Sequence, residues 1–224
     1  MIEAKDVSLI YSDGTIGLKN VNLEIIKGSM VYITGPSGSG KTSLLKLLMG
    51  MEFPTSGVLN VLGQAIKKED TSGILKLRQR MGPVFQEFKL IKGRTAVENV
   101  MLGMRFLNFT YNQIKEDSIS ALKEVGLFHK AQSLVENLSY GECQRVAIAR
   151  AVARRPELIL ADEPTGNLDT DNAVKILNLL ASFKNDSRTV IITTHATHLI
   201  EGKKGAMYIR ISEGSIHCER LEEA

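Results

Sequence analysis

The chain has 224 residues, 43% of them hydrophobic and 24% charged, and 28 basic against 25 acidic side chains leave a net charge of +3. At roughly 150 residues per domain this is one large domain, or a core carrying an inserted lobe. The near balance of charge gives no general reason for a polyanion partner, and no stretch reaches the about 18 consecutive apolar residues that a membrane-spanning helix needs.

In chain order, the amino terminus (Met1-Ile2-Glu3-Ala4-Lys5-Asp6) has no apolar signal region, so a cytoplasmic location is expected. Val7, Leu9 and Tyr11 alternate with Ser8 and Ile10, and Val21, Leu23 and Ile25 alternate with Asn22 and Glu24, which predicts strands of an antiparallel sheet. An apolar run over 30–34 enters a glycine-rich loop, and leucine spacing over 42–49 then predicts a helix. From about 89 to 155 the pattern is mostly helical, with helices expected over 111–125 and 141–155, the second stopped by Pro156. Buried-type strands over 158–161 and 189–194 flank a helix at 172–183, the alternation of a parallel sheet. A hairpin turns at Glu213-Gly214, and the tail from Glu219 to Ala224 leaves no room for a regulatory domain. Cys143 and Cys218 lie far apart without partners at zinc-type spacing, which argues against a disulfide scaffold or a structural metal.

Gly35-Pro36-Ser37-Gly38-Ser39-Gly40-Lys41-Thr42 fits the phosphate-loop pattern between a strand and a helix. Glycines let successive backbone amides converge on phosphate oxygens, and the helix behind them presents free donors and its positive dipole end. Lys41 is expected to reach the β- and γ-phosphates, Thr42 to offer its hydroxyl to Mg²⁺, and Ser43 to lie beside the nucleotide. The strand over 158–161 ends in Asp162-Glu163, at the sheet edge where ligands collect in open α/β folds. Asp162 is the candidate for holding Mg²⁺, and Glu163 for polarising the attacking water. The expected fold is therefore α/β: a P-loop NTPase core of mostly parallel sheet flanked by helices, with an amino-terminal antiparallel β-sheet and an inserted α-helical subdomain. Residues 1–86 and 156–224 would form the ATP-binding core, and 87–155 the helical subdomain.

Between and after those elements the sequence resembles the ATP-binding-cassette (ABC) ATPases over nearly its whole length. Leu138-Ser139-Tyr140-Gly141-Glu142, running into Gln144-Arg145-Val146-Ala147-Ile148-Ala149-Arg150-Ala151, looks like the family's signature segment. Gln86 looks like its Q-loop glutamine, His195 like its switch histidine, Gly166-Asn167-Leu168-Asp169 like its D-loop, and Tyr11 like the aromatic residue on which adenine stacks. The resemblance implies that Gln86, with Thr42 and Asp162, attends Mg²⁺, and that Glu163, His195, Gln86 and Lys41 serve hydrolysis. It also implies that Ser139, Gly141 and Glu142 meet ATP held by a second copy, two chains packing head to tail as a homodimer around two ATP molecules. His129, His198 and His217 are assigned no role, and Cys143 is expected to be a small packing group. Two residues depart from the commonest signature: Tyr140 stands at its first glycine and Glu142 at its glutamine.

Phe85, Phe88, Phe106 and Phe109 cluster around the Q-loop and the start of the helical lobe, where members of the family receive a short helix from a membrane permease subunit. That resemblance implies a bacterial ABC transporter subunit driving a separate permease from the cytoplasmic face of the inner membrane, without direct nucleic-acid contact. The wording of 85–90, 94–100 and 160–169 is similar to the subgroup of lipoprotein-release, macrolide-export and cell-division ATPases. The alternative is a non-transport ABC ATPase, such as a cell-division subunit regulating cell-wall hydrolases. A DNA-repair ATPase is disfavoured because no sustained heptads separate Gln86 from Leu138, and a translation ATPase because there is one cassette, not two.

Overall fold

The computed structural model describes residues 1–220, so the last four residues of the tail noted above lie outside the described part. Its elements are β1 (Ile2–Ile10), β2 (Ile16–Ile25), β3 (Met30–Thr34), α1 (Lys41–Leu48), β4 (Ser56–Val61), β5 (Gln64–Ala65), α2 (Thr71–Gln79) and β6 (Met81–Val84). There follow α3 (Ala96–Leu102), α4 (Tyr111–Glu124), α5 (Tyr140–Val152), β7 (Leu158–Ala161), α6 (Thr170–Ser182), β8 (Thr189–Thr194), β9 (Ala206–Ser212) and β10 (Ser215–Arg220). Contacts divide the chain into two compact units, Met1–Arg78 with Lys184–Ala224, and Gln79–Phe183. No helix among the described residues is long and apolar enough to cross a membrane.

In the first unit, an antiparallel sheet runs in the order β2-β1-β4-β5. The expected alternation holds along β2, where Val21, Leu23 and Ile25 are buried and Asn22 and Glu24 exposed. It fails along β1. Asp6 takes a left-handed backbone (φ 49°), the register shifts beside it, and Val7, Ser8 and Leu9 are all buried in succession. Ser8 tolerates burial because its hydroxyl accepts from the Asn20 amide at 3.0 Å. Tyr11 lies past the end of this strand, in a turn where its amide donates to Thr15 O and its carbonyl accepts from Gly14 N.

The second sheet segment of this unit places β3 between two parallel neighbours, β8 and β9, and β10 pairs antiparallel with β9. All five residues of β3 and all six of β8 are buried, as expected of strands covered on both faces. The β9–β10 hairpin turns on Glu213 (φ 49°) and Gly214 (φ 77°), the two left-handed residues of a tight primed turn.

In the second unit β6 and β7 pair in parallel, Val84 opposite Ala161, and α5 packs against β6, α3, α4 and α6. This helix is close to fully buried along Val146–Val152, and its alanines at 147, 149 and 151 allow close approach. A Cβ at Gly82 of β6 would come within 2.8 Å of the Ala151 carbonyl oxygen, so only glycine fits there. The helix ends at Val152, three residues short of the expectation. The residue before Pro156 is disfavoured in helical backbone, and Arg155 turns left-handed (φ 51°).

Fully buried Asn99 of α3 holds the segment that leads into this lobe. Its side chain accepts from Ile91 N at 2.7 Å and donates to Ile91 O at 3.2 Å and Thr95 O at 3.0 Å. Removing it takes away the partner of three part-buried backbone groups. Asn99→Ala should therefore cost about 2 kcal/mol, measured as a lower urea midpoint at unchanged slope.

Candidate nucleotide site

The phosphate loop begins where buried β3 ends. Gly35 (φ 151°) and Gly40 (φ 114°) both occupy backbone conformations that side chains avoid, and a Cβ would overlap the Ile211 carbonyl at the first and the Gly17 carbonyl at the second. The loop is tied to its surroundings through its own backbone: Ser39 N donates to Pro36 O at 3.2 Å, and Gly214 N donates to Ser39 O at 3.1 Å. Helix α1 starts on Gly40 with no side-chain cap and no acid in its first turn, so its positive dipole end suits an anion. Lys41, only 7% exposed, donates from Nζ to Gly35 O at 2.9 Å and Pro36 O at 3.1 Å, which folds its ammonium back over the loop. The Ser39 hydroxyl is buried without a hydrogen-bond partner, whereas Pro36, Ser37, Gly38 and Thr42 are exposed. Converging amides, a buried cation and the unpartnered Ser39 hydroxyl suit a polyphosphate, and the exposed Thr42 side chain carries a hard oxygen suited to Mg²⁺.

Half-buried Tyr11 reaches this loop through its hydroxyl, 2.9 Å from the Ser43 hydroxyl, either of which can donate. Gly17 permits that approach, since a Cβ there would fall 2.9 Å from the tyrosine ring. Tyr11 also borders an open cleft of about 750 Å³, walled by Phe53, Pro54, Ile66 and Lys67, that includes no residue of the phosphate loop. His195 is exposed one residue past β8, where the Thr194 hydroxyl accepts from Ala196 N at 3.0 Å and His195 O accepts from Thr197 N. Because Thr194 pairs with Thr34, His195 and Gly35 follow the ends of adjacent parallel strands.

The second unit repeats this arrangement at the ends of β6 and β7. Asp162 N continues the ladder by donating to Val84 O at 2.9 Å, so Asp162, Glu163 and, two residues past β6, Gln86 share one edge. Glu163 is 9% exposed and has a left-handed backbone (φ 43°), which a non-glycine residue keeps only where its surroundings impose it. Gln86 is exposed, and its amide nitrogen lies 3.7 Å from where a Cβ on Gly166 would sit.

Ser139 caps α5: its hydroxyl accepts from Glu142 N at 3.3 Å while Glu142 Oε2 accepts from Ser139 N at 2.8 Å. The other carboxylate oxygen pairs with Lys130 Nζ at 2.7 Å, a partner outside the signature motif that the sequence reading did not single out. Lys130, followed by the Ser139 amide, holds the Glu142 carboxyl down to about 2. Glu142 is thus turned back on its own helix, while Gly141 packs 3.6 Å, measured from its Cβ position, from Leu168. Cys143 packs as expected, its thiol facing the Val135 carbonyl at 3.5 Å and pushed up by burial.

A carboxylate with a lowered folded-state pKa stabilises the fold above the unfolded value near 4.5 and loses that contribution as pH falls through about 2. Because the pair is partly solvated, Glu142→Ala should cost about 1 kcal/mol at pH 7. In urea titrations the gap between wild type and variant should narrow as pH drops below about 4.5.

The family profile described as "ABC transporter" matches residues 18–166. The chain is 41% identical over 204 residues to the cell division ATP-binding protein FtsE of Haemophilus influenzae, covering 91% of this chain and 94% of that protein. It is 37% identical over 217 residues to FtsE of Escherichia coli K12, covering 97% of each. Among solved structures, a dimeric bacterial ABC transporter cassette, MJ0796, superposes with a TM-score of 0.88 at 36% identity over 100% of both chains. The same cassette in a post-hydrolysis state bound to ADP and Pi gives 0.87 at 34% identity, again over 100% of both. By the profile, the relatives and the shared fold, the chain belongs to the ATP-binding-cassette ATPase family.

Proposed function

We propose that this chain is the ATP-hydrolysing subunit of a cell-division assembly of the ABC type, working with a separate membrane protein on the cytoplasmic face of the inner membrane. What carries the reading is the coincidence of a phosphate loop with an uncapped helix start and relatives named as cell-division ATP-binding proteins across most of the chain. Those names favour the non-transport alternative over a transporter role, which the likeness to a transporter cassette supports as a second reading.

In this reading the backbone N–H groups of 37–42 and Lys41 bind the β- and γ-phosphates, with Ser43 beside them and adenine against Tyr11. The Thr42 hydroxyl and Asp162 carboxylate, with Gln86, attend Mg²⁺, which supplies charge neutralisation on the phosphates. Glu163 accepts the proton of the attacking water and His195 steadies the γ-phosphate as negative charge builds. Ser139, Gly141 and their neighbouring amides serve the nucleotide of a second copy, Glu142 acting there through the capping box. Hydrolysis removes the bridging γ-phosphate and so weakens the homodimer. Phe106 at 88% exposure offers an apolar side chain for a partner helix to cover.

Glu163→Gln keeps the shape and removes the base. It should lose about 100-fold or more in turnover and elute as a dimer from size-exclusion chromatography with ATP, and a variant that binds ATP yet stays monomeric would overturn the shared-site mechanism. Lys41→Ala should weaken ATP at least about tenfold by titration calorimetry. The cellular reading is tested by depletion in the native host, where blocked septation and filamentous cells are expected. Normal septation with a retained cargo would favour transport instead.

A further inference from the structure

Three segments that carry proposed functional residues meet on a single side chain within the second unit. Tyr140 is the first residue of α5, and its hydroxyl accepts from the Asn167 side-chain amide at 2.6 Å across 27 positions of sequence. Its ring meets Phe88 edge-on, with centroids 4.4 Å apart and an interplanar angle of 63°. Asn167 stands in the loop that follows Glu163, and Phe88 two residues past Gln86. The same helix grips the Gln86 segment a second time, because the Arg150 guanidinium donates to the Phe88 and Lys89 carbonyls.

We propose that Tyr140 is a positioning residue for ATP hydrolysis, clamping the loop after Glu163 with its hydroxyl and the segment after Gln86 with its ring. The inference rests on the hydrolytic roles given to those two residues above. Its physical basis is a difference in rigidity. The body of α5 is buried along Val146–Val152 and fixed by packing, whereas beyond buried Glu163, Pro164 and Thr165 the loop over 166–169 is exposed or half-buried and held by short turn bonds such as Gly166 N to Glu163 O at 3.2 Å and Leu168 N to Thr165 O at 3.1 Å. A tether from a rigid helix transmits its position to the loop. A base must be placed to within a fraction of an ångström to act on a water, so a loosened loop lowers the rate without touching nucleotide affinity. A glycine at 140, the commoner residue of the resembled signature, could make neither contact. The aromatic ring at 88 and the amide at 167 complete the arrangement, one on each of the segments to be held.

Tyr140→Phe retains the ring contact and deletes the hydroxyl. It should lower kcat about fivefold, with KM for ATP unchanged. Asn167→Ala should do the same, and the double variant should be no slower than the slower single, because both remove one bond. Hydrogen exchange of peptides spanning 163–170 should quicken severalfold in Tyr140→Phe while the body of α5 exchanges as in wild type. Wild-type kcat in Tyr140→Phe, losses that multiply in the double variant, or unchanged loop exchange would each overturn the clamp while leaving the hydrolytic reading intact. A wild-type protein without turnover, or a Glu163→Gln variant as active as wild type, would instead overturn that reading and the clamp with it.

Discussion

Parallel pairing in register is the constraint on which the rest of the molecule depends. In the first unit Thr34 stands level with Thr194 and Arg210, so the residues after β3 and β8 emerge at one edge: the phosphate loop from the first, His195 from the second. In the second unit Val84 stands level with Ala161, so Gln86 and the Asp162-Glu163 pair emerge together. Each of these strands is buried along most or all of its length, and a one-residue slip would turn every side chain into the packing on the opposite face, shaped for its neighbour. The cores that fix the registers thereby fix which polar residues arrive at the edge of each unit.

Helix starts then divide the labour. The amino ends of α3, α4, α5 and α6 are each closed by a side chain, Thr95, Thr110, Ser139 and Asp169 respectively. At α1 the corresponding place is Gly40, whose backbone has room only because there is no Cβ to meet the Gly17 carbonyl. A helix start without a side-chain cap is what a phosphate can use, and the same glycine also forms the turn. The start of α5 is different in kind. Its hydroxyl oxygen accepts from the Glu142 amide and its acid is paired with Lys130, so the Ser139 O–H and the amides around Gly141 carry what this end offers to an anion.

What could be read from the sequence follows from how local each feature is. The phosphate loop, β7 with its terminal acids, and the hairpin at Glu213-Gly214 are contiguous strings whose conformation is set by their own residues, and their elements stand where periodicity and glycine placement put them. The burial of Ser8 depends on a register shift at Asp6 and on Asn20, and the position of Tyr11 on a turn closed by Thr15, so strand alternation alone misplaced both. The Glu142–Lys130 pair and the Tyr140–Asn167 bond join positions 12 and 27 residues apart, and no pattern within either segment announces the other. Tyr140 could be noticed only as a departure at a glycine position; its partners came from the tertiary structure.

Glu163 shows how these levels combine. A left-handed backbone at a non-glycine residue costs about 1 to 3 kcal/mol and persists only where neighbours over-determine it. The preceding amide is fixed by the β6 ladder through Val84 O, the following turn returns Gly166 N to the Glu163 carbonyl, and beyond it Asn167 is held to α5. The backbone is therefore pinned on both sides of the strained residue. In the proposed role as base, Glu163 would start from a backbone already fixed on both sides, so that little reorganisation of the chain would be left to the moment of reaction.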